Sequence, residues 1–453
     1  MHPHYLEFSL KPGWRLGLFL ALASLLALAG SLEAMKVAMV TGWIDTVQVA
    51  AVEKALRLDP TNPALHGRAA QLYGASLEPA ALTQALGEAR RATALDANKF
   101  DYWMTLASSC ESVRDNGCAE QALEHALRLA PMAPQVWWAA ANHYLRADRP
   151  DRAFACFRRL LELSPGYAEP TLALTLRAYG NAGLIFEKLV GHASDPQLAL
   201  TFADFMSEHN DFDAAHRAWT EIARGSAPFP FAAASSYLER LLAEGRYREA
   251  QDVWTNLVAR GAVAPPAPSE PGNLVFNGGF EQPPLGAGFD WRSEPSTYAL
   301  VDFADPSPYA GARCLRVDFP VPQNDDFEPV YQVLPVLPNQ AYVLSAYVRS
   351  RDITSDSGPR LRVTDPSCRG CLEAETEAAL GNAPWHQVTA QFTTGPQTQA
   401  VRLSLWRPHS RVFPMEISGT FWLDVVSVTA LRGSPPQMRR GGAPSAGVVL
   451  NVR

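Results

Sequence analysis

Residues 55–63 (ALRLDPTNP), 92–100 (ATALDANKF), 126–134 (ALRLAPMAP) and the stretch opening at Leu160 (LLELSPGYAEP) recur at offsets of 37, 34 and 34 residues. This recurrence restricts the fold more than anything else in the chain. A unit of this length holds two helices and their turns and has no means of burying its apolar face alone, so such units stack side by side into an extended array. The last part of the chain reads differently: beyond residues 273–281 (NLVFNGGFE) the helical period gives way to a period of two. A helical part followed by a strand-rich part is therefore expected.

Within 100–133, Trp103, Leu106, Ala107, Ala119, Leu123, Ala126 and Pro131 stand at the W, L, small, A, apolar, A and P places of a known repeat pattern. In the next unit Trp137, Ala140, Ala141, Tyr144, Ala153, Phe157 and Pro165 do so again. The region 50–260 thus resembles the tetratricopeptide repeat, a superhelix of antiparallel helix pairs. Small residues let the paired helices approach, aromatics fill the gap to the next pair, and Pro ends the second helix. A short insertion at 74–78 accounts for the longer offset. The phrases around Trp219 and Trp254 sit 35 residues apart and read as second helices of divergent units. The resemblance implies a concave face that holds a protein partner's peptide or helix, with no catalytic group. The plainer alternative is a spacer between the membrane and the C-terminal module.

Residues 1–41 read as a signal anchor that spans a membrane once. Lys11 and Arg15 precede the apolar run 16–32, and the positive-inside bias keeps them in the cytoplasm. The tripeptide Ala27-Leu28-Ala29 resembles a signal-peptidase site, so cleavage is the competing reading. Both readings put the remaining chain outside the cytoplasm.

Residues 261–272 (GAVAPPAPSEPG) cannot continue a helix and read as a semi-rigid linker. After it, alternating runs at 342–349, 360–364, 386–392, 400–406 and 420–431, separated by Gly-, Pro-, Asp- and Asn-rich turns, predict a two-sheet antiparallel sandwich over 273–431. The runs NLVFNGGFE, YAGARCLRVDF, PNQAYVLSAYVRS, WHQVTAQF and GTFWLDVVSVTAL resemble the galactose-binding-like jelly roll of carbohydrate-binding modules. That resemblance implies that Glu281 and Asp424 hold a structural calcium ion through hard carboxylate oxygens. The family commonly carries two consecutive acids in the last strand, whereas here Asp424 is followed by Val425. It also places Trp385 and Trp422 at core positions.

Strand parity picks out a carbohydrate-binding face. In YVLSAYVR, Tyr342, Leu344, Ala346 and Val348 point inward, which leaves Tyr347 and Arg349 outward; in VRLSLW, Trp406 lies opposite Leu403 and Leu405. Arg362 joins by the same rule, and Tyr331 borders the face. Trp406, either exposed among arginines or covered by the loop 408–415, is the sharpest ligand hint. Cys368 and Cys371 form a tight pair without the further ligands that zinc needs, and a local disulfide is expected of an exported chain. Cys110 and Cys118 could clamp one helical hairpin in the same way. The Gly-, Pro- and Arg-rich tail 432–453 reads as disordered.

A formal net charge of −7 argues against general nucleic-acid binding, because there is no basic surplus to displace counterions from phosphates. The acidic pairs Asp325/Asp326 and Glu373/Glu375 sit in turn-like runs with no second carboxylate across a cleft, and the histidines are dispersed, so no enzyme is expected. The expectation is a non-catalytic scaffold of the bacterial inner membrane, its bulk in the periplasm, with repeats that bind a protein and a sandwich that binds a glycan during exopolysaccharide or cell-surface assembly. A purely structural protein–protein adaptor is the alternative.

Overall fold

The structure is a computed structural model that describes residues 13–44, 47–76, 78–191, 195–265 and 271–431. Lys11, the centre of the Pro-rich stretch and the tail 432–453 lie outside the described residues. The chain divides into two compact units, Met1–His192 and Ala193–Arg453.

The first unit opens with α1 (Gly13–Ile44), whose segment Gly13–Met39 is long and apolar enough to cross a membrane, a test that a signal sequence also passes. Its large side chains, among them Leu18, Leu22 and Leu25, are exposed. After α2 (Val49–Leu58) come three helical hairpins: α3 (Pro63–Gly74) with α4 (Pro79–Leu95), α5 (Phe100–Ser112) with α6 (Asn116–Leu129), and α7 (Pro134–Arg146) with α8 (Pro150–Leu163). Proline at the start of α3, α4, α7 and α8 sits where a missing N–H costs nothing. Asn62 and Asp115 cap α3 and α6 by accepting from the amides of Ala64 and Cys118, both at 3.0 Å. Fully buried Ala89, Ala119, Ala126, Ala140 and Ala153 bring the helices together. Trp103 Nε1 donates to the Ala97 carbonyl and Trp137 Nε1 to that of Pro131, each at 2.8 Å, so one tie recurs one repeat later.

The turns repeat as well. Asp115 N–H donates to Cys110 O and Arg149 N–H to Tyr144 O, both at 2.9 Å, which closes each hairpin turn with a six-to-one bond. The turn residues Arg114 (φ 61°) and Asp148 (φ 54°) are left-handed without being glycine. Cys110 and Cys118 form a disulfide across the α5–α6 hairpin, with Cα atoms 5.8 Å apart. Beyond α8 the array becomes irregular. A 3-10 turn (Pro165–Tyr167) leads into α9 (Ala168–Tyr179), which stops at left-handed Gly180, and α10 (Ala182–Ile185) runs into one π turn (Phe186–Val190).

The second unit begins with α11 (Pro196–Glu208), α12 (Phe212–Arg224), α13 (Ala232–Ala243) and α14 (Tyr247–Ala259). Its two antiparallel sheets follow. One has the order β1 (Arg292–Ser293), β4 (Phe327–Pro335), β9 (Ala400–Arg407), β6 (Arg360–Thr364), β7 (Glu373–Glu375). The other has the order β2 (Leu300–Asp305), β3 (Cys314–Gln323), β10 (Ile417–Ala430), β5 (Ala341–Ile353), β8 (Gly381–Thr393). Their facing sides share one core: Val330, Leu334, Leu361, Leu403 and Leu405 meet Leu315, Val317, Leu344, Ala346, Phe421 and Leu423.

The stretch 273–281 straps this core closed along β10. Leu274 N–H donates to Val428 O at 2.9 Å, Val426 N–H donates to Gly278 O at 2.8 Å, and Asn273 Oδ1 accepts from the Val428 amide at 2.9 Å. A Cβ at Gly278 would overlap the Val426 carbonyl, and Phe280 is fully buried. The last helices are built onto the sandwich. Glu239 of α13 accepts from Arg292 at 2.7 and 2.9 Å and from the Gly288 amide at 2.6 Å. Trp254 of α14 sets its ring against Phe276 (5.1 Å) and Phe289 (6.1 Å). The boundary between the two units precedes α11.

Candidate functional site

The sandwich presents two outer faces, and the five residues that strand parity picked out are divided between them. Tyr331, Arg362 and Trp406 lie on the sheet of β4, in register through Tyr331↔Ser404, Arg362↔Ser404 and Arg360↔Trp406. Tyr347 and Arg349 lie on β5, in the opposite sheet. The single five-residue face is thus corrected. Parity says which residues leave the core but not which sheet a strand joins, and the two outer faces look away from each other across the shared core.

On the β4 sheet the aromatic faces are already covered. The Arg362 guanidinium carbon sits 4.2 Å and that of Arg360 5.6 Å from the Trp406 ring centre, and that of Arg402 lies 3.7 Å from Tyr331. Two of these arginines are neutralised in turn: Arg362 by Glu328 (2.8 Å) and Glu373 (3.6 Å), Arg360 by Glu375 (3.4 Å). Trp406 is half-buried, with Arg360 and Arg362 over its ring. The adjoining loop end is fixed by Arg407, wholly buried, which donates to the carbonyls of Ser357 (3.0 Å), Asp325 (2.7 Å) and Met415 (2.9 Å).

The β5 sheet presents a different surface. Tyr309 stacks on Tyr347 with centroids 3.6 Å apart and planes at 10°, and Trp385 meets Tyr309 edge-on at 6.1 Å. The Arg349 guanidinium carbon lies 3.9 Å from the Trp422 ring centre and 5.3 Å from that of Trp385, and Arg351 lies 5.3 Å from Trp422. An open groove of about 430 Å³ runs beside Arg349, Arg351, Asn382, Pro384 and Trp422. Tyr309 keeps 46% of its surface exposed, although a stacked pair hides one of its faces. Trp385, expected in the core, is half-buried, while Trp422 is buried as expected but outside the core between the sheets. Trp422 alternates with buried Phe421 and Leu423 and pairs across the strands with Arg349, which puts it on the outer side of β10. The sequence held that signal, since Trp422 shares its parity with Asp424. Tyr309 lies in a loop without periodicity and left no comparable trace.

Glu281 and Asp424 act on this same surface. Asp424 Oδ2 accepts from the amides of Tyr309 (2.8 Å) and Ala310 (3.0 Å), and its Oδ1 from that of Val425 (2.8 Å). Glu281 Oε1 accepts from the amides of Ala312 (2.8 Å) and Arg313 (3.4 Å). A Cβ at Gly311 (φ +79°) would overlap the Glu281 carboxylate, so the loop closes this tightly only with glycine. Burial raises the Asp424 carboxyl above its ordinary range; the backbone N–H bonds oppose the shift and the charge of Glu281 adds to it. Here both carboxylates face backbone amide hydrogens of the loop. Their role in this geometry is to hold the loop that carries Tyr309.

The remaining cysteines supply no nucleophile. Cys368 and Cys371 form a disulfide that closes the turn after β6, with Cα atoms 5.5 Å apart. Cys156 and Cys314 are buried and free, and burial pushes their thiols up to about 11 and about 12, so both are protonated at neutral pH.

No family model matches the chain, and no curated protein matches it. Solved structures do align with parts of it. A structure of MamA shares 17% identity, covering 39% of this chain and 90% of that one, with a TM-score of 0.27. TmCBM61 in complex with β-1,4-galactotriose shares 17% identity, covering 35% and 99%, with a TM-score of 0.25. The CBM22-1 xylan-binding domain of Paenibacillus barcinonensis Xyn10C shares 16%, covering 37% and 100%, with a TM-score of 0.25. In fold, the chain carries an array of helical hairpins followed by a two-sheet antiparallel sandwich.

Proposed function

We propose that this chain is a non-catalytic, membrane-anchored scaffold of the bacterial envelope whose sandwich binds a glycan on the outer face of the β5 sheet and whose hairpin array binds a protein partner. The observation that carries the reading is the aromatic row Tyr309, Tyr347 and Trp385 beside the open groove at Trp422. Flat rings stack on the C–H face of a pyranose, and groups held in place by packing and backbone bonds lose little entropy on binding.

Two features support a place outside the cytoplasm. The apolar helix α1 suits an anchor, and disulfides such as Cys110–Cys118 and Cys368–Cys371 persist in oxidising compartments. For the protein partner, α3 and α5, the first helices of successive hairpins, line a groove of about 420 Å³ with Gln71, Met104, Thr105, Ser108 and Ser112. Assembly of an exopolysaccharide or another surface glycan is the setting this combination suits. A glycan-array screen of the full chain in detergent, beside Trp385→Ala, tests the reading. Binding that disappears in the variant supports it, and a folded chain that binds no glycan refutes it in favour of the protein–protein adaptor.

A further inference from the structure

The two outer faces treat their arginines differently. On the β4 sheet, Arg360 and Arg362 each have a carboxylate partner, and Arg402 stacks singly on Tyr331 with no ion pair among the described residues. On the β5 sheet, Arg316 is paired with Asp305 (2.7 Å) and Asp318 (2.9 Å), but no ion pair of Arg349 or Arg351 occurs among the described residues. The carboxylates at adjoining positions are engaged otherwise: Asp424 takes backbone N–H bonds, and Asp352 accepts from the Asn382 side-chain amide at 3.2 Å. Arg349 is nonetheless half-buried, its guanidinium stacked on Trp422, with an Nε that has no hydrogen-bond partner. Trp422 itself is 5% exposed and its Nε1–H is likewise unpartnered. Buried donors and an uncompensated cation are costly unless something completes them.

We propose that the groove formed by Arg349, Arg351 and Trp422 takes the carboxylate of a uronic-acid residue, so that the glycan bound by this sandwich is an acidic polysaccharide. The inference rests on the glycan reading above and specifies its ligand class. The sugar ring stacks on the Tyr309 and Trp385 end of the row, while the carboxylate sits between the two guanidiniums, whose planar forks match it in shape and charge. Asn382 and Pro384 form the opposite wall of the groove. A neutral glycan would leave both cations without a partner.

The test is isothermal titration of the full chain in detergent with an oligogalacturonate, its methyl ester and a neutral cello-oligosaccharide of equal length. The expected result is that the acid binds about tenfold or more tightly than its ester, the effect of one good charge-assisted contact. The preference should shrink as salt rises, and Arg349→Gln and Arg351→Gln should each cost the acid about tenfold more affinity than they cost the ester. Arg351 is exposed, so its variant folds normally, and a thermal melt checks the Arg349 variant. Equal binding of acid and ester, or a preference that survives both substitutions, overturns the inference while leaving glycan binding in place. Absence of binding to all three saccharides overturns both.

Discussion

The two outer faces of the sandwich are built from the same residue types, aromatics and arginines, and differ in what those side chains already touch. On the β4 sheet each arginine that covers Trp406 is matched to a carboxylate, and the tryptophan is roofed by Arg362. On the β5 sheet Tyr309 stacks on Tyr347 and meets Trp385 edge-on, and no ion pair of Arg349 or Arg351 occurs among the described residues. A closed network holds a sheet together; an open one holds something else. Counting aromatics and arginines on a surface does not distinguish the two cases, whereas tracing their partners does.

Substitutions can break or sharpen this contrast. The largest effect is expected from Trp385→Ala and Tyr309→Ala, which remove stacking surface and should lower glycan affinity tenfold or more, while Trp406→Ala changes it less than about twofold; titration calorimetry reads both. Next comes the support of the loop. Asp424→Ala leaves the amides of Tyr309 and Ala310 without their acceptor, and should weaken glycan binding and cost about 2 kcal/mol of stability in a denaturant melt.

A pH dependence follows from the same residue. Because burial raises the folded-state pKa of Asp424, the native chain holds this proton over a window in which the unfolded chain has released it. Its contribution to stability is therefore full below the unfolded value and declines as pH rises through the window. Asp424→Asn should flatten that part of the stability–pH curve. In the wild type, a rise in pH through the window should by the same linkage loosen the loop that carries Tyr309 and weaken glycan binding, with no corresponding change around Trp406. The smallest effect is a control outside the sandwich: Arg114→Gly relieves a left-handed turn and should add a few tenths to about 1 kcal/mol of stability, leaving affinity at both faces unchanged.

These differences also mark where sequence reading succeeds. The hairpins were legible because each repeat restates the same demands, down to the bond that Trp103 and Trp137 each make to a carbonyl six residues earlier. Parity rightly put Tyr347, Arg349, Arg362 and Trp406 outside the core. The assignment of strands to sheets was not legible, because β4 pairs with β9 and β5 with β10 across about 70 to 80 residues, and local alternation is the same for either sheet. Trp422 is buried as expected, but on the outer side of β10, where Arg349 and Arg351 cover it. The packing of Trp254 on Phe276 and Phe289 was not legible either, because composition shows where a helix must stop and not what its last turns touch.

The central claim is that the β5 face, and not the β4 face, is the ligand surface. Its most direct test is a side-by-side titration of the full chain with the tightest ligand from the glycan screen, comparing Trp385→Ala with Trp406→Ala. Loss of binding in the first and near wild-type affinity in the second is the predicted result. The reverse pattern, binding lost with Trp406 and kept without Trp385, would contradict the account.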